Sequence, residues 1–271
     1  MGFFQDKVSV VTGAASGIGL ALSQQLAQQG ARVLLTDVQE EALLLAEEKL
    51  TKQGHDVRSM CVNVADAEAF QRVVESAVES WGRLDYLFNN AGIGIGGEAR
   101  DFQLDEWKKV IDVNLYGVIH GVQAAYPIMI EQGSGHIVNV ASIAGLVPFA
   151  GEISYTASKY AVVGLTHTLR AEAADLGVNV TLVCPGKIET PIYETSEVIG
   201  FDKEKALSLW PKGITPEQCA SIILRGVRKN KATIVVTKLA QMLWWMQRLS
   251  PSIPMAIARR YMRKMRKFRT S

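Results

Sequence analysis

The feature that most constrains this chain is an alternation. Short apolar runs rich in β-branched residues are separated by stretches with helical periodicity. Lys7–Thr12 (KVSVVT), Arg32–Asp37 (RVLLTD), Val57–Val62, Leu84–Asn89, His136–Ala141 (HIVNVA), Asn179–Cys184 (NVTLVC) and Thr233–Val236 read as strands. Ile18–Gln29, Gln39–Gln53, Ala67–Ser80, Leu104–Glu131 and Ser154–Leu176 read as helices, with a bend near Pro127. Gly30 and Gly54 stand where helices stop. Strands that are apolar without alternation are buried on both faces, which requires a parallel sheet with right-handed helical crossovers. The expected fold class is therefore α/β: a Rossmann-type, doubly wound parallel sheet of about seven strands. We expect a single domain over residues 1–238 and a C-terminal helical extension, a tail of different character, over residues 239–271.

Composition narrows the classes further. Hydrophobic residues make up 48% and charged residues 21%, which excludes disorder and coiled coil. The cysteines Cys61, Cys184 and Cys219 are odd in number and widely spaced, so neither a disulfide framework nor a zinc site is expected. No cluster of His, Cys and Asp has ligand spacing, and no metal is expected. Met1–Lys7 carries no signal-peptide pattern, and no apolar run reaches the roughly 18 residues of a spanning helix. The expected location is cytoplasmic.

The first strand–helix junction reads Thr12-Gly13-Ala14-Ala15-Ser16-Gly17-Ile18-Gly19. Glycines let a backbone approach a pyrophosphate closely, and the helix N-terminus behind them offers free N–H groups and a positive dipole. The spacing is GxxxGxG, so Gly13, Ser16, Gly17, Ile18 and Gly19 are expected around a dinucleotide. Asp37 ends the second strand, 24 residues after Gly13, where a ribose-binding acid belongs. A carboxylate there repels a 2′-phosphate by about 4 kcal/mol at roughly 4 Å, with an effective dielectric near 20. No Arg or Lys follows it at Val38 or lies in residues 13–19, so NAD is expected rather than NADP.

Further motifs follow in order. Asn89-Asn90-Ala91-Gly92 comes after the fourth strand, and Val113-Asn114-Leu115 lies in the long helix. Ser142 comes after the fifth strand, and Tyr155 and Lys159 form YxxxK starting 13 residues later. Pro185-Gly186 follows the sixth strand, with Thr190 nearby. Over residues 5–238 the sequence resembles the classical short-chain dehydrogenases/reductases. Tyr155 and Lys159, four apart, share a helix face, and an ammonium beside a phenol is expected to lower the phenol below its usual value of about 10. The resemblance implies Tyr155 as general acid or base, with Lys159 also on the nicotinamide ribose. It further implies Ser142 on the reacting oxygen and Asn114 holding a water that links Lys159 to solvent. It places Asn90, Ala91 and Gly92 near the adenosine half, and Pro185, Gly186, Ile188 and Thr190 near the nicotinamide. Asn63, followed by Val64, stands where the family commonly has an adenine-contacting Asp; an amide still donates and accepts.

The segments after the strands' carboxyl ends, 93–97, 143–149 and 187–210, should form the substrate pocket. Their apolar members include Ile93, Ile95, Leu146, Val147, Phe149, Ile188, Ile192, Tyr193, Phe201 and Trp210, while Lys187 is an exception expected to face solvent. An apolar secondary alcohol or ketone, such as a steroid, retinoid or lipid, is the expected substrate. Alternatives are a 3-oxoacyl reductase using an acyl carrier and a non-catalytic nucleotide sensor. The resemblance also implies a homodimer or homotetramer through the two long helices.

The net charge of +2 hides a split: residues 1–217 hold 16 Lys and Arg against all 27 Asp and Glu, whereas residues 218–271 hold 13 cations and no acid. Leu239–Leu249 is apolar with two tryptophans, Pro251 and Pro254 are expected to break the chain, and Met255–Arg269 reads as a basic amphipathic helix. Two readings stay open: a peripheral membrane-surface element, or an extension packed on the acidic body or a neighbouring subunit. A tail this apolar is a poor phosphate tracker, so no nucleic-acid partner is expected.

Overall fold

A computed structural model describes residues 2–270. In chain order the first elements are β1 (Val8–Thr12), α1 (Gly17–Gln28), β2 (Arg32–Asp37), α2 (Glu40–Lys52), β3 (Val57–Cys61), α3 (Ala67–Trp81), β4 (Tyr86–Asn89) and the short β5 (Ile95–Gly96). Then come α4 (Leu104–Ile111), α5 (Gly117–Glu131), β6 (Gly135–Val140), α6 (Ile153–Glu172), β7 (Val178–Pro185), α7 (Ile192–Thr195), β8 (Glu197–Val198) and α8 (Lys203–Ser208). The chain continues with α9 (Pro216–Arg228), β9 (Thr233–Val236), α10 (Lys238–Leu249) and α11 (Ser252–Met265).

The strands form a seven-stranded sheet in the order β3-β2-β1-β4-β6-β7-β9, and every pairing is parallel. Strand β1 is buried along its whole length, as its VSVVT sequence requires in a sheet covered on both faces. One core layer packs Leu22, Leu26, Ile223 and Leu224 against one face. The other packs Phe70, Val73, Ala125 and Met129 against the opposite face. The order reverses between β1 and β4, and the carboxyl ends there open the crevice in which such sheets bind ligands.

Two local expectations change, and one of the two open readings of the tail gains contacts. The stretch 104–131 is not one helix: a π turn, Asp112–Tyr116, separates α4 from α5, and α5 runs on through Pro127. The irregularity lies where Asn114 must turn inward, and π turns gather at such sites. Pro254 does not break the chain but sits in the first turn of α11, where the missing N–H has no partner to lose. The tail does not stand apart. Met262 and Met265 pack with Phe201 and Ala206, Asp202 N donates to Phe268 O at 2.9 Å, and Thr270 N donates to Gly200 O at 3.1 Å.

Candidate active site

The glycine turn after β1 is fixed by hydrogen bonds to the end of β4. The Asn90 amide donates to Thr12 O at 2.9 Å, and Thr12 Oγ1 accepts from Asn90 N at 2.9 Å and Ala91 N at 3.0 Å. Gly13 has φ +67°, and a Cβ on Gly19 would overlap the Gly13 carbonyl oxygen. Asn90 is thus a brace for this turn. Asp37 accepts from Ala15 N through one oxygen and from Gln39 N through the other, each at 3.0 Å, and is only 8% exposed. Each oxygen keeps a second lone pair free to accept a further hydrogen bond. Ser16 makes no side-chain cap bond, which leaves its hydroxyl and the first N–H groups of α1 unspent.

A cavity of about 640 Å³ runs from this turn along the carboxyl ends of the strands. It brings together Gly13, Ser16, Gly17, Ile18, Asp37, Asn63, Val64, Asn90, Ala91 and Gly92 on one side. Ser142, Tyr155, Lys159, Pro185, Gly186, Ile188 and Thr190 line it on the other. Gly19 and Asn114 stand behind the lining. Asn63 Oδ1 is engaged with Ala65 N at 3.0 Å, so its amide N–H groups are what it offers a base.

Ser142 caps a short 3-10 turn, accepting from Ala144 N at 3.1 Å, and its hydroxyl lies against the Tyr155 phenol. Lys159 Nζ donates to Val140 O at 3.0 Å and lies 5.6 Å from the centre of the Tyr155 ring. Burial raises the Tyr155 phenol above its ordinary value, and the Ser142 hydroxyl acts the other way. Burial also pushes the Lys159 ammonium down to about 8. The expected direction for the phenol is therefore reversed: losing water costs its ionised form more than the Ser142 hydroxyl returns.

Asn114 is fully buried. Its amide donates to Ile93 O at 2.9 Å and Ser158 Oγ at 3.1 Å, and its oxygen accepts from Ile93 N at 2.8 Å. The side chain braces the loop beside Lys159. A buried relay through Asn89, Asn139 and Thr166 ties β4 and β6 to α6, the helix that carries Tyr155 and Lys159. Its signal in the sequence is an Asn or Thr inside runs that are otherwise apolar.

On the substrate side, Ile93, Ile95, Phe149, Ile192, Tyr193 and Trp210 line the cavity. Leu146 and Val147 pack elsewhere, and Phe201 turns away to meet the tail. Lys187 does not point to open solvent; its Nζ sits 4.5 Å over the Tyr193 ring. Sequence reasoning missed Glu152, which lines the cavity. Its signal was its place three residues before Tyr155, at the N-cap of the same helix. It also missed Tyr261, whose hydroxyl accepts from Trp210 Nε1 at 3.0 Å. Among the described residues no group of His, Cys, Asp and Glu is arranged to hold a metal ion.

Comparison with known proteins places this geometry. The family description "short chain dehydrogenase" matches residues 7–197. A putative oxidoreductase, SadH, of Mycobacterium tuberculosis is 36% identical over 242 residues, covering 87% of this chain and 88% of its own. The 3-oxoacyl-[acyl-carrier-protein] reductase FabG of Thermotoga maritima is 39% identical, covering 81% of this chain and 89% of its own. A solved short chain dehydrogenase/reductase of Burkholderia phymatum, in complex with NAD, superposes with TM-score 0.86 at 30% identity, covering 93% of this chain and 96% of that one. This chain belongs to the short-chain dehydrogenase/reductase family. It is an oxidoreductase of that family, whose members act on CH–OH groups of small molecules.

Proposed function

We propose that the protein moves a hydride between NAD(H) and an apolar secondary alcohol or ketone. The observation that carries this reading is the single cavity shared by Asp37, the glycine turn, the Ser142–Tyr155–Lys159 group and an apolar wall. The nicotinamide, when bound, accepts hydride from the carbinol carbon or returns it to the ketone. Gly13, Gly17 and the N-terminus of α1 hold the pyrophosphate, Ser16 and Ile18 lie beside it, and Asp37 takes the adenosine ribose hydroxyls. Asn63 and Val64 flank the adenine, Ala91 and Gly92 floor the adenosine half, and Pro185, Gly186, Ile188 and Thr190 flank the nicotinamide. The Asp37 carboxylate selects NAD over NADP by repelling a 2′-phosphate.

Tyr155 gives a proton to the ketone oxygen in reduction and takes it from the hydroxyl in oxidation. Ser142 hydrogen-bonds that oxygen as its charge develops. Lys159 holds the nicotinamide ribose and keeps a positive charge near the phenol. Asn114 is a positioning residue, fixing the loop from Gly92 to Ile93 over Lys159. The raised phenol favours the proton-donating form at neutral pH, so alcohol oxidation rises with pH.

The relation to a 3-oxoacyl reductase favours a second reading, in which an acyl-carrier substrate meets the basic tail; Asp37 argues against it. Two further assignments go with the first reading. The family's usual homodimer or homotetramer forms through the α4–α5 stretch and α6. The tail sits at a membrane surface: Leu239, Met242, Trp245, Leu249, Ile253 and Ile257 are all exposed, beside Arg248, Arg259 and Arg260. Among the described residues no helix is long and apolar enough to cross a membrane.

The test follows NADH absorbance over a panel of apolar secondary alcohols. NAD-linked turnover, falling by about a hundredfold or more in Tyr155→Phe, supports the reading. Turnover that survives this substitution overturns it. Co-sedimentation with anionic vesicles, lost in Trp245→Glu with Leu249→Glu, tests the tail; equal sedimentation of this variant refutes the surface role.

A further inference from the structure

The substrate wall carries two carboxyls with no ion-pair partner among the described residues, the exposed Glu197 and the more enclosed Glu152. Glu152 lines the cavity at the start of α6. Its side chain makes no cap hydrogen bond, and burial alone acts on its carboxyl, pushing it up to about 7. The backbone holds it in place: Gly97 forms a parallel bridge to Glu152, and Glu152 O accepts from Thr156 N at 2.8 Å.

Aromatic rings surround the same space. Phe149 stacks on Trp210 at 5.0 Å, Tyr193 lies 6.0 Å from Trp210, and Tyr261 of the tail meets Trp210 edge-on at 6.3 Å. The negative charge of Glu152 reaches the Tyr155, Tyr193 and Tyr261 phenols, raising all three further. Aromatic faces attract cations, and this wall already does so on one side, where Lys187 lies over Tyr193 and 5.9 Å from Trp210. Lys187 does not itself line the cavity or pair with Glu152 among the described residues. A carboxylate without a cation, in a cavity whose wall also carries the rings of Phe149, Tyr193 and Trp210, is half of a recognition site.

We infer that Glu152, with Phe149, Tyr193 and Trp210, binds a protonated amine on the substrate, so that the preferred substrate is an apolar secondary alcohol or ketone bearing a cationic nitrogen. This rests on the reading of the cavity as a carbinol-oxidising site. The apolar wall takes the hydrocarbon body, Tyr155 and Ser142 take the reacting oxygen, and Glu152 fixes the far end. Glu152 is the N-cap of α6, three residues before Tyr155, and lines the same cavity as the phenol.

The experiment compares two alcohols that differ only in a dimethylammonium or an isopropyl group on the same phenyl-bearing skeleton. The wild-type enzyme should prefer the ammonium compound in kcat/KM, and Glu152→Gln should lower that preference by about tenfold or more, mostly through KM. Glu152→Asp should recover part of it. In the wild type, KM for the ammonium compound should fall as pH rises through 7, where Glu152 ionises; the groups facing it are Tyr155, Tyr193 and Tyr261, with Lys187 beyond the rings. Calorimetric titration with the ammonium compound lacking its hydroxyl reads binding without turnover. If it binds tightly to the wild type and about tenfold or more weaker to Glu152→Gln, the amine site stands even where no alcohol is oxidised. A preference unchanged by Glu152→Gln, or an isopropyl compound that binds as well as the ammonium one, overturns the inference. Equal NAD affinity and circular dichroism show that the variant folds.

Discussion

The two ends of the cavity are built differently. At the cofactor end, Thr12, Gly13, Asp37 and Asn90 stand at the carboxyl ends of the adjacent strands β1, β2 and β4, and side chain–backbone hydrogen bonds hold the glycine turn between them. At the substrate end, the pieces come from far along the chain. Arg266 Nε donates to Glu98 Oε1 at 2.7 Å across 168 positions. Arg269 donates to Glu98 Oε2 at 3.0 Å and to Asp101 Oδ1 at 2.6 Å. Burial opposes ionisation of Glu98, yet the Arg266 and Arg100 guanidiniums hold its carboxyl below the usual range. The tail thus ties the segment that carries Phe201 and Trp210 to the loop after β5. The lesson is mechanical: one end is set by backbone sterics, and the other is a clamp of half-exposed ion pairs and aromatic contacts.

The sharpest way to break this comparison is at Gly19. A Cβ there meets the Gly13 carbonyl, part of a backbone that cannot yield cheaply. Gly19→Ala should cost about 3 kcal/mol, on the order of a hundredfold in NAD affinity by calorimetry. An unchanged affinity would show that the turn is pliant. Next comes Asp37→Ser, which removes the charge at the end of β2. The kcat/KM ratio should move toward NADP by about 2 kcal/mol, half the Coulomb limit because the serine still hydrogen-bonds. A ratio that stays put means that Asp37 does not face the 2′ position.

The clamp should respond more gently and only at its own end. Glu98→Gln leaves Arg100, Arg266 and Arg269 without their shared partner, but these side chains are 63%, 56% and 35% exposed and rehydrate. We expect a loss of about 1–2 kcal/mol, read as a severalfold rise in KM for the alcohol while the NAD dissociation constant holds. A change in NAD affinity instead would join the two ends into one unit.

The smallest effect concerns pH. Burial raises the Glu152 carboxyl from its ordinary value of 4.5 to about 7, so the folded protein binds more protons than the unfolded chain between these values. Stability from this group falls as pH rises from 4.5 to about 7, and the cost is full above that. Glu152→Gln should therefore raise Tm by a few degrees at pH 8, for about 1 kcal/mol after discount for its partial exposure, and change it little at pH 4.5. An equal effect at both pH values would place the carboxyl in water.

How much was legible follows the same division. The strands read directly because β1, β2 and β6 are buried on both faces and so are mostly apolar, without the alternation of a half-exposed strand. The glycine turn and Asp37 were visible because a close backbone approach admits few residues. Tyr155 and Lys159 were visible because one helical turn fixes their spacing. The π turn was not, since nothing in 112–116 marks it and Pro127, the obvious breaker, is absorbed by α5. Glu152 was passed over because a Glu at a helix start ordinarily means a solvated cap.

The sequence by itself determined the parallel sheet, the order of the crevice and the residues that contiguous motifs carry, since periodicity and local sterics act within a few residues of each other. It also determined that the tail is basic and half apolar. Only the tertiary structure decided where that tail lies, that Phe201 serves the clamp rather than the cavity, and that burial sets the proton affinities of Tyr155, Lys159 and Glu152. Those outcomes depend on which distant groups exclude water from one another, and exclusion of water is a property of the packed molecule that no spacing along the chain encodes.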